Sequence, residues 1–187
     1  HTRFRNVTGV QTCALPICAD NLSAVSAIDE AIRRIGSIAL VHEMLSISAQ
    51  EMVEFDEVAD KLIAAVKDVS TLRSGITLRR SGTFGSLRPE VATPLALILT
   101  ELIQNAYEHG LAQSGSHLDV SVHRTANTLV LSVSDDGVGL PAGFDINSSE
   151  TLGLQIVNTL VRNELGGTLE VQPVEGGGTR ISLEIYC

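Results

Sequence analysis

Four short stretches combine residue types and spacings that could do chemistry. The first is LILTELIQNAYEHG, residues 97–110. It reads as an apolar helix, yet it carries Glu101, Asn105, Glu108 and His109. Glu101 and Asn105 are four apart and so share one helix face, one turn apart. Polar groups in a helix made for burial are costly unless the chain or a ligand pairs with them. An ordinary polar stripe of an amphipathic helix is the plainer reading of this stretch alone. The second is VSDDGVGLP, residues 133–141, where Asp135 and Asp136 close an apolar strand and Gly137 and Gly139 follow. Asp-Gly is a common turn signal. The same residues could hold a carboxylate at a pocket edge, ready to accept from an exocyclic amine, with glycines that let backbone approach a flat ligand. The third is TLGLQIVNTLV, residues 151–161. Gly153 stands at the start of a helix, and helix N-termini bind phosphate through free N–H groups. In the fourth, GGGTRISLEI, Thr179 begins a strand after a glycine turn.

These residues need a scaffold, and the hydrophobic periods supply one. Residues 21–46 are helical in pattern, with Ile28, Ile32, Ile35, Ala39 and His42 on one stripe. Nothing earlier in the chain is patterned to cover that stripe, so it calls for another helix or a second subunit. Residues 54–69 form a second amphipathic helix that buries Val58, Leu62, Ile63, Ala65 and Val66. GITLRR is a short strand, followed by the turn-rich SGTFGSLRP. The polar-bearing helix runs from about Pro89 to His109, with Gly110 as its C-terminal stop. HLDVSVHR and TLVLSVSD alternate apolar and polar residues and read as neighbouring strands joined by TAN. A glycine-bearing loop spans 136–152, the helix LGLQIVNTLVRNEL follows, and GTLEVQP and TRISLEI are the last strands. Helices, strands, helix, strands in that order predict a two-layer α/β sandwich, with a mixed sheet covered by helices on one face and one long helix in front.

Composition narrows the function classes. The chain has 187 residues, 44% of them hydrophobic, with 3% aromatic residues and no tryptophan, so the core must be aliphatic. A formal net charge of −9 without any basic run argues against direct nucleic-acid binding. No apolar run approaches the roughly 20 residues of a membrane span, and the expectation is a soluble, cytoplasmic protein. Cys13, Cys18 and Cys187 make no metal-binding pattern and are expected to be unpaired thiols of a reducing compartment.

Residues 1–17, HTRFRNVTGVQTCALPI, are unlike everything after them: they hold no acidic residue and show no period. From Val7 to Ile17 they resemble, residue for residue, the translation of a common sequencing-library adaptor. The resemblance implies an adaptor-derived, disordered leader at 1–17 with no bearing on the fold. Without its Arg3 and Arg5 the remainder holds 11 basic and 22 acidic residues, a charge of −11.

Taken together and in order, E-L-x-x-N-A-x-E-H-G, D-D-G-x-G-L-P, S-E-T-L-G-L-x-I-V and G-G-T-x-x-x-L resemble the N box, two glycine boxes and final strand of the GHKL (Bergerat) ATP-binding fold. RRIGSIALVHEMLS, ATPLALILTELIQNAYEHG, DDGVGLPAGFD and TLGLQIVNTLV further resemble the bacterial sensor histidine kinases with the second type of dimerisation helix. That actinobacterial subgroup is paired with response regulators of ANTAR type. The resemblance spans about residues 21–185. It implies that 18–50 are the remnant of a dimerisation and phosphotransfer helix, and that 51–187 are the catalytic domain, binding ATP with Mg²⁺. It further implies that Asn105 ligates the Mg²⁺, whose hard character suits an amide oxygen, and that Glu101 orients or deprotonates the attacking group. By the same resemblance His109 faces the phosphates, Asp135 accepts from the adenine amine with Thr179 in support, and Gly137 and Gly139 shape the adenine site. Residues 140–152 are then a short lid, hinged on the phosphate side at Gly153 and Leu154, with Phe144 supplying lid packing.

The sequence departs from the pattern in places. An acid, Glu108, stands where many relatives have Lys or Arg, so it is expected to point to solvent. No histidine fits the phosphoacceptor: His42 matches the close of the second dimerisation helix, and His117 and His123 read as surface residues. The function implied is the ATP-binding part of a histidine kinase that transfers the γ-phosphoryl to a histidine and then to a response regulator. A homodimer through the residual and missing helices is implied with it. A non-catalytic ATP-binding module, or a serine kinase of the anti-sigma type on the same fold, are the alternatives; the helix at 21–46 speaks against the second.

Overall fold

The computed structural model describes residues 52–69, 75–141, 144 and 152–187, and, between 28 and 43, residues 28, 31, 32, 35, 36, 38, 39 and 41–43. The adaptor-like residues 1–17 and most of the expected lid lie outside these. The chain divides into two units, His1–Gly36 and Ser37–Cys187. In the first, the described residues are helical, and Ile28, Ile32 and Ile35 are each more than half exposed. The stripe read from the sequence is therefore uncovered here.

The second unit carries a five-stranded sheet. Its strands are β2 (Thr77–Ser81), β4 (His117–Arg124), β5 (Thr128–Asp135), β6 (Thr168–Pro173) and β7 (Thr179–Tyr186), in the order β2-β4-β5-β7-β6. Only β2 and β4 run parallel; the other pairs are antiparallel, so the sheet is mixed as expected. Alternation is strict on β5: Leu129, Leu131, Val133 and Asp135 are buried, and the residues between them are half-buried. The period of two thus delivers Asp135 to the face that carries the core. On β7 the same rule turns Thr179, Ile181, Leu183 and Ile185 inward.

Among the described residues of the second unit, the helices α1 (Phe55–Val69), α2 (Pro89–Asn105) and α3 (Leu152–Thr159) pack together. The buried face of α1 holds Val58, Ala59, Leu62 and Val66, close to the stripe read from its sequence. Helix α2 packs against both α1 and α3 and is buried nearly all round. A helix with so little exposed surface is central by necessity. Pro89 sits in its first turn, where no N–H is missed, while Pro94 lies inside and costs it one backbone bond.

Two features carry no sequence signal. Val53–Glu54 (β1) and Ser86–Leu87 (β3) form an antiparallel ribbon, closed by the Ser86 hydroxyl donating to Glu54 at 2.5 Å. Helix α2 ends in a wide π turn, Ala106–Gly110, closed by the Leu111 N–H on the Ala106 carbonyl at 2.7 Å. Gly110 therefore lies inside a turn and has no left-handed φ. This corrects its expected place as a C-terminal stop.

The ribbon and the start of α1 are held by one carboxylate. Asp56 accepts from the N–H groups of Phe84 (3.1 Å) and Gly85 (2.8 Å) and from the Arg80 guanidinium (2.7 Å). Phe55 and Phe84 pack edge to face beside it, with centroids 4.8 Å apart. Partial burial works to raise the Asp56 pKa, but the amides of Gly85 and Phe84 and the charge of Arg80 outweigh it, and the net shift is downward. A carboxyl held below its unfolded value adds stability above that value, near 3.9, and the contribution is lost as pH falls through the lowered pKa. We expect Asp56→Ala to lower stability by about 1–3 kcal/mol at pH 7. The deficit should shrink below about pH 4 in urea melts; a deficit that is the same at pH 7 and pH 3 would show that the charge is not what holds the turn.

Candidate functional site

A cavity of about 310 Å³ opens at the C-terminal end of α2, between that helix, β5, β7 and the first turns of α3. That is the lower end of the range for small-molecule pockets. Leu102, Ala106, Val133, Leu154 and Ile181 give it apolar walls, and Val138, Leu140, Pro141 and Phe144 line the side of the glycine loop. Among the described residues, four polar side chains reach it: Asn105, His109, Asp135 and Thr179. Apolar walls with a few convergent polar groups suit a flat heteroaromatic ring.

Asp135 is 7% exposed. Its Oδ1 accepts from the Gly137 N–H at 2.9 Å, and the Thr179 backbone amide lies near enough to favour its charged form. Burial pushes the carboxyl pKa up, the two amides oppose this, and the neighbouring Asp136 adds to the rise. A buried carboxylate that accepts from one backbone N–H has lone pairs left for a ligand.

Glycines make the close approach to Asp135 possible. A Cβ on Gly110 would stand 2.7 Å from the Asp135 carboxyl carbon, and one on Gly137 1.9 Å from the Gly110 carbonyl oxygen. A Cβ on Gly178 would meet the Asp135 carbonyl at 2.0 Å. The Val138 N–H donates to the Gly110 carbonyl at 2.9 Å and ties the glycine loop to the π turn. Gly110 and Gly178 thus belong to the site. In the sequence Gly110 reads only as a helix stop and Gly178 only as part of a glycine turn, since a three-dimensional approach leaves no local signal.

At the other side of the cavity, the Asn105 amide nitrogen is buried without a hydrogen-bond partner. A half-turn about the side-chain torsion exchanges its nitrogen and oxygen, so this position can offer either a donor or an oxygen ligand. Among the described residues no cluster of three or more His, Cys, Asp or Glu could hold a metal. A cation here would rest on Asn105 and on oxygens brought by its ligand.

The structure brings Asn105, His109, Asp135, Gly139, Leu154 and Thr179 around one cavity. Gly137 lies directly behind the Asp135 carboxylate. Gly153 is buried in the first turn of α3 and does not line the cavity. Glu101 is buried on α2 one turn before Asn105 and does not line it either. Glu108 is exposed, as expected from its acid side chain. Phe144 packs against the core and on the cavity. His117 and His123 are exposed, and His42 is helical and exposed.

The fold and site define a class. The chain belongs to the family of histidine kinase-, DNA gyrase B- and HSP90-like ATPases, whose model matches residues 90–186. Residues 18–70 match a second family model, described as histidine kinase. Among particular relatives, the sensor histidine kinase PdtaS of Mycolicibacterium smegmatis is 41% identical over 190 residues, covering 99% of this chain and 38% of that protein. PdtaS of Mycobacterium tuberculosis matches equally well. The chain therefore spans well under half the length of these relatives. The histidine kinase domain of the Erythrobacter litoralis blue-light activated kinase superposes with a TM-score of 0.70 at 24% identity, over 82% of this chain and 72% of that one. The Acinetobacter baumannii histidine kinase AdeS superposes with a TM-score of 0.62 at 18% identity, over 95% and 87%. These two likenesses speak for the fold. Among the described residues no helix is long and apolar enough to cross a membrane.

Proposed function

We propose that this chain is the ATP-binding part of a two-component sensor histidine kinase, in which the γ-phosphoryl of ATP passes to a histidine and then to a response regulator. The observation that carries the reading is Asp135: a buried carboxylate, fixed by the Gly137 N–H, at the end of an apolar slot. In this reading Asp135 accepts from the adenine amine, with Thr179 bracing it and Gly137 and Gly139 letting the ring lie against backbone. His109 and the start of α3, at Gly153 and Leu154, face the phosphates. Asn105 holds Mg²⁺, and its orphaned amide fits that role. The ion neutralises phosphate charge when bound, since phosphoryl transfer is largely positioning and charge stabilisation. Glu101, buried one turn up the helix, is assigned to orient the attacking group once nucleotide is seated.

The resemblance of RRIGSIALVHEMLS and TLGLQIVNTLV to the actinobacterial subgroup supports a response regulator of ANTAR type and a place in the cytoplasm. The uncovered residues Ile28, Ile32 and Ile35 support dimerisation through the N-terminal helix. The non-catalytic and serine-kinase readings gain no support: Asp135 and Asn105 both face the cavity, and residues 18–70 match a histidine kinase model.

Calorimetric titration with ATP, with and without Mg²⁺, tests the reading. We expect Asn105→Ala to weaken Mg-ATP binding about ten- to hundredfold, the loss of one charge-assisted contact. Adenosine, which lacks phosphates, should bind the variant as it binds the parent chain. An equal loss for both ligands would place Asn105 at the base and overturn the metal assignment.

A further inference from the structure

The carboxylate next to Asp135 has no part in the reading above. Alternation sends Asp136 the other way, and its side chain is 45% exposed. It is nevertheless fully engaged. Oδ1 accepts from the N–H groups of Ser116 (2.7 Å) and His117 (2.8 Å), and Oδ2 lies 3.1 Å from His117 Nδ1. The Asp136 N–H donates to the His117 carbonyl at 3.3 Å. On the far side, the Ser116 carbonyl accepts from the Thr77 N–H of β2 at 2.7 Å. The backbone of Ser116 is thus held from both directions. Gly115, at φ +88°, passes so close that a Cβ would stand 2.6 Å from Asp136 Oδ1.

Residues 110–117 therefore form a loop pinned at both ends to two successive aspartates. Its first residue, Gly110, packs on the Asp135 carboxylate and accepts from Val138. Its last two residues are bound by Asp136. The loop begins at the π turn that carries His109 and follows Asn105 directly. The Asp136 side chain ties the returning end to the bend that bears Asp135.

We infer that Asp136 is a positioning residue for base recognition: by clamping the entry of β4, it fixes where the Asp135 carboxylate stands relative to the end of α2. Asp136 does not touch the base. Its loss would leave an Asp135 whose acceptor atoms no longer meet the amine. The inference rests on the proposed adenine role of Asp135.

The test compares ATP with inosine triphosphate, which carries an oxo group in place of the amine, by calorimetry on the whole 187-residue chain. The parent chain should prefer ATP by at least about tenfold, and Asp135→Asn should abolish the preference. Asp136→Ala should reduce it to within about threefold. Asp136→Asn, whose Oδ1 still serves both N–H groups, should keep most of it. If Asp136→Ala does not fold, Asp136→Glu replaces it: the charge stays, but an extra methylene moves the oxygens off the amides, and the preference should fall below that of Asp136→Asn. An unchanged preference in Asp136→Ala, or equal loss in the Ala and Asn variants, overturns the inference while leaving the role of Asp135 standing. No preference in the parent chain, with Asp135→Asn silent, overturns the adenine reading itself and this inference with it.

Discussion

Replacing Asp135 by asparagine is expected to weaken ATP binding by about 2–4 kcal/mol, or roughly thirty- to a thousandfold. Two effects add. The charge-assisted hydrogen bond to the amine is lost, and one of the two acceptor oxygens becomes an NH₂ group. That group must face either the Gly137 N–H, which needs an acceptor at 2.9 Å, or the ligand amine. Neither arrangement is satisfied, and in a slot with apolar walls the unsatisfied donor carries its full desolvation cost. Folding should change much less, because the asparagine oxygen can still serve Gly137. A calorimetric titration beside a thermal melt separates the two. Normal ATP affinity in Asp135→Asn would remove Asp135 from base recognition, and a large fall in melting temperature would make it a folding residue instead.

The second large effect is steric. Gly137 has no left-handed φ, so conformational freedom is not the reason for glycine there. Space is: an added Cβ would stand 1.9 Å from the Gly110 oxygen and 2.9 Å from Asp135 Oδ1. Neither neighbour is a pliable side-chain end, because one is backbone and the other is the anchored carboxylate. Gly137→Ala must push the glycine loop off the π turn and break the 2.9 Å bond from Val138 to Gly110. Overpacking of this kind costs about 3 kcal/mol, which corresponds to a fall of roughly 6–12 °C in melting temperature for a chain of this size. ATP binding should disappear with it. Gly166→Ala is the control. Gly166 has φ +60° and open space around it, so alanine there should cost about 1–2 kcal/mol of backbone strain and leave ATP binding intact. If the two variants melt alike and both bind ATP, the tight contact between the loop and the helix end is not present in solution.

The strands and the faces they turn inward were legible because the inner-face side chains repeat every two residues over eight-residue strands, whereas the order β2-β4-β5-β7-β6 and its register were not. Leu129, Leu131 and Val133 already point to the face on which Asp135 stands, and Ile181, Leu183 and Ile185 do the same for Thr179. Helix α1 declared its buried face through Val58, Leu62 and Val66. What escaped the sequence lacks a period. The ribbon of Val53–Glu54 on Ser86–Leu87 has two residues a side, too short for any alternation. The π turn at Ala106–Gly110 differs from a helix end by one residue of hydrogen-bond spacing. Gly110 and Gly178 matter because a distant carboxylate and carbonyl come within contact of them. Glu101 shows the converse limit. Spacing puts it on the face of Asn105, but one turn of rise is enough to leave it off the cavity wall.

The central helix has a thermodynamic consequence. Helix α2 runs through the core and ends at the cavity wall, so a nucleotide seated there binds the folded domain and not the unfolded chain. Mass action then adds RT ln(1 + [L]/Kd) to stability, about 2.7 kcal/mol at a hundredfold excess over Kd. The lifetime of the domain against proteolysis is then expected to follow nucleotide supply: withdrawing ATP should shorten it in limited proteolysis.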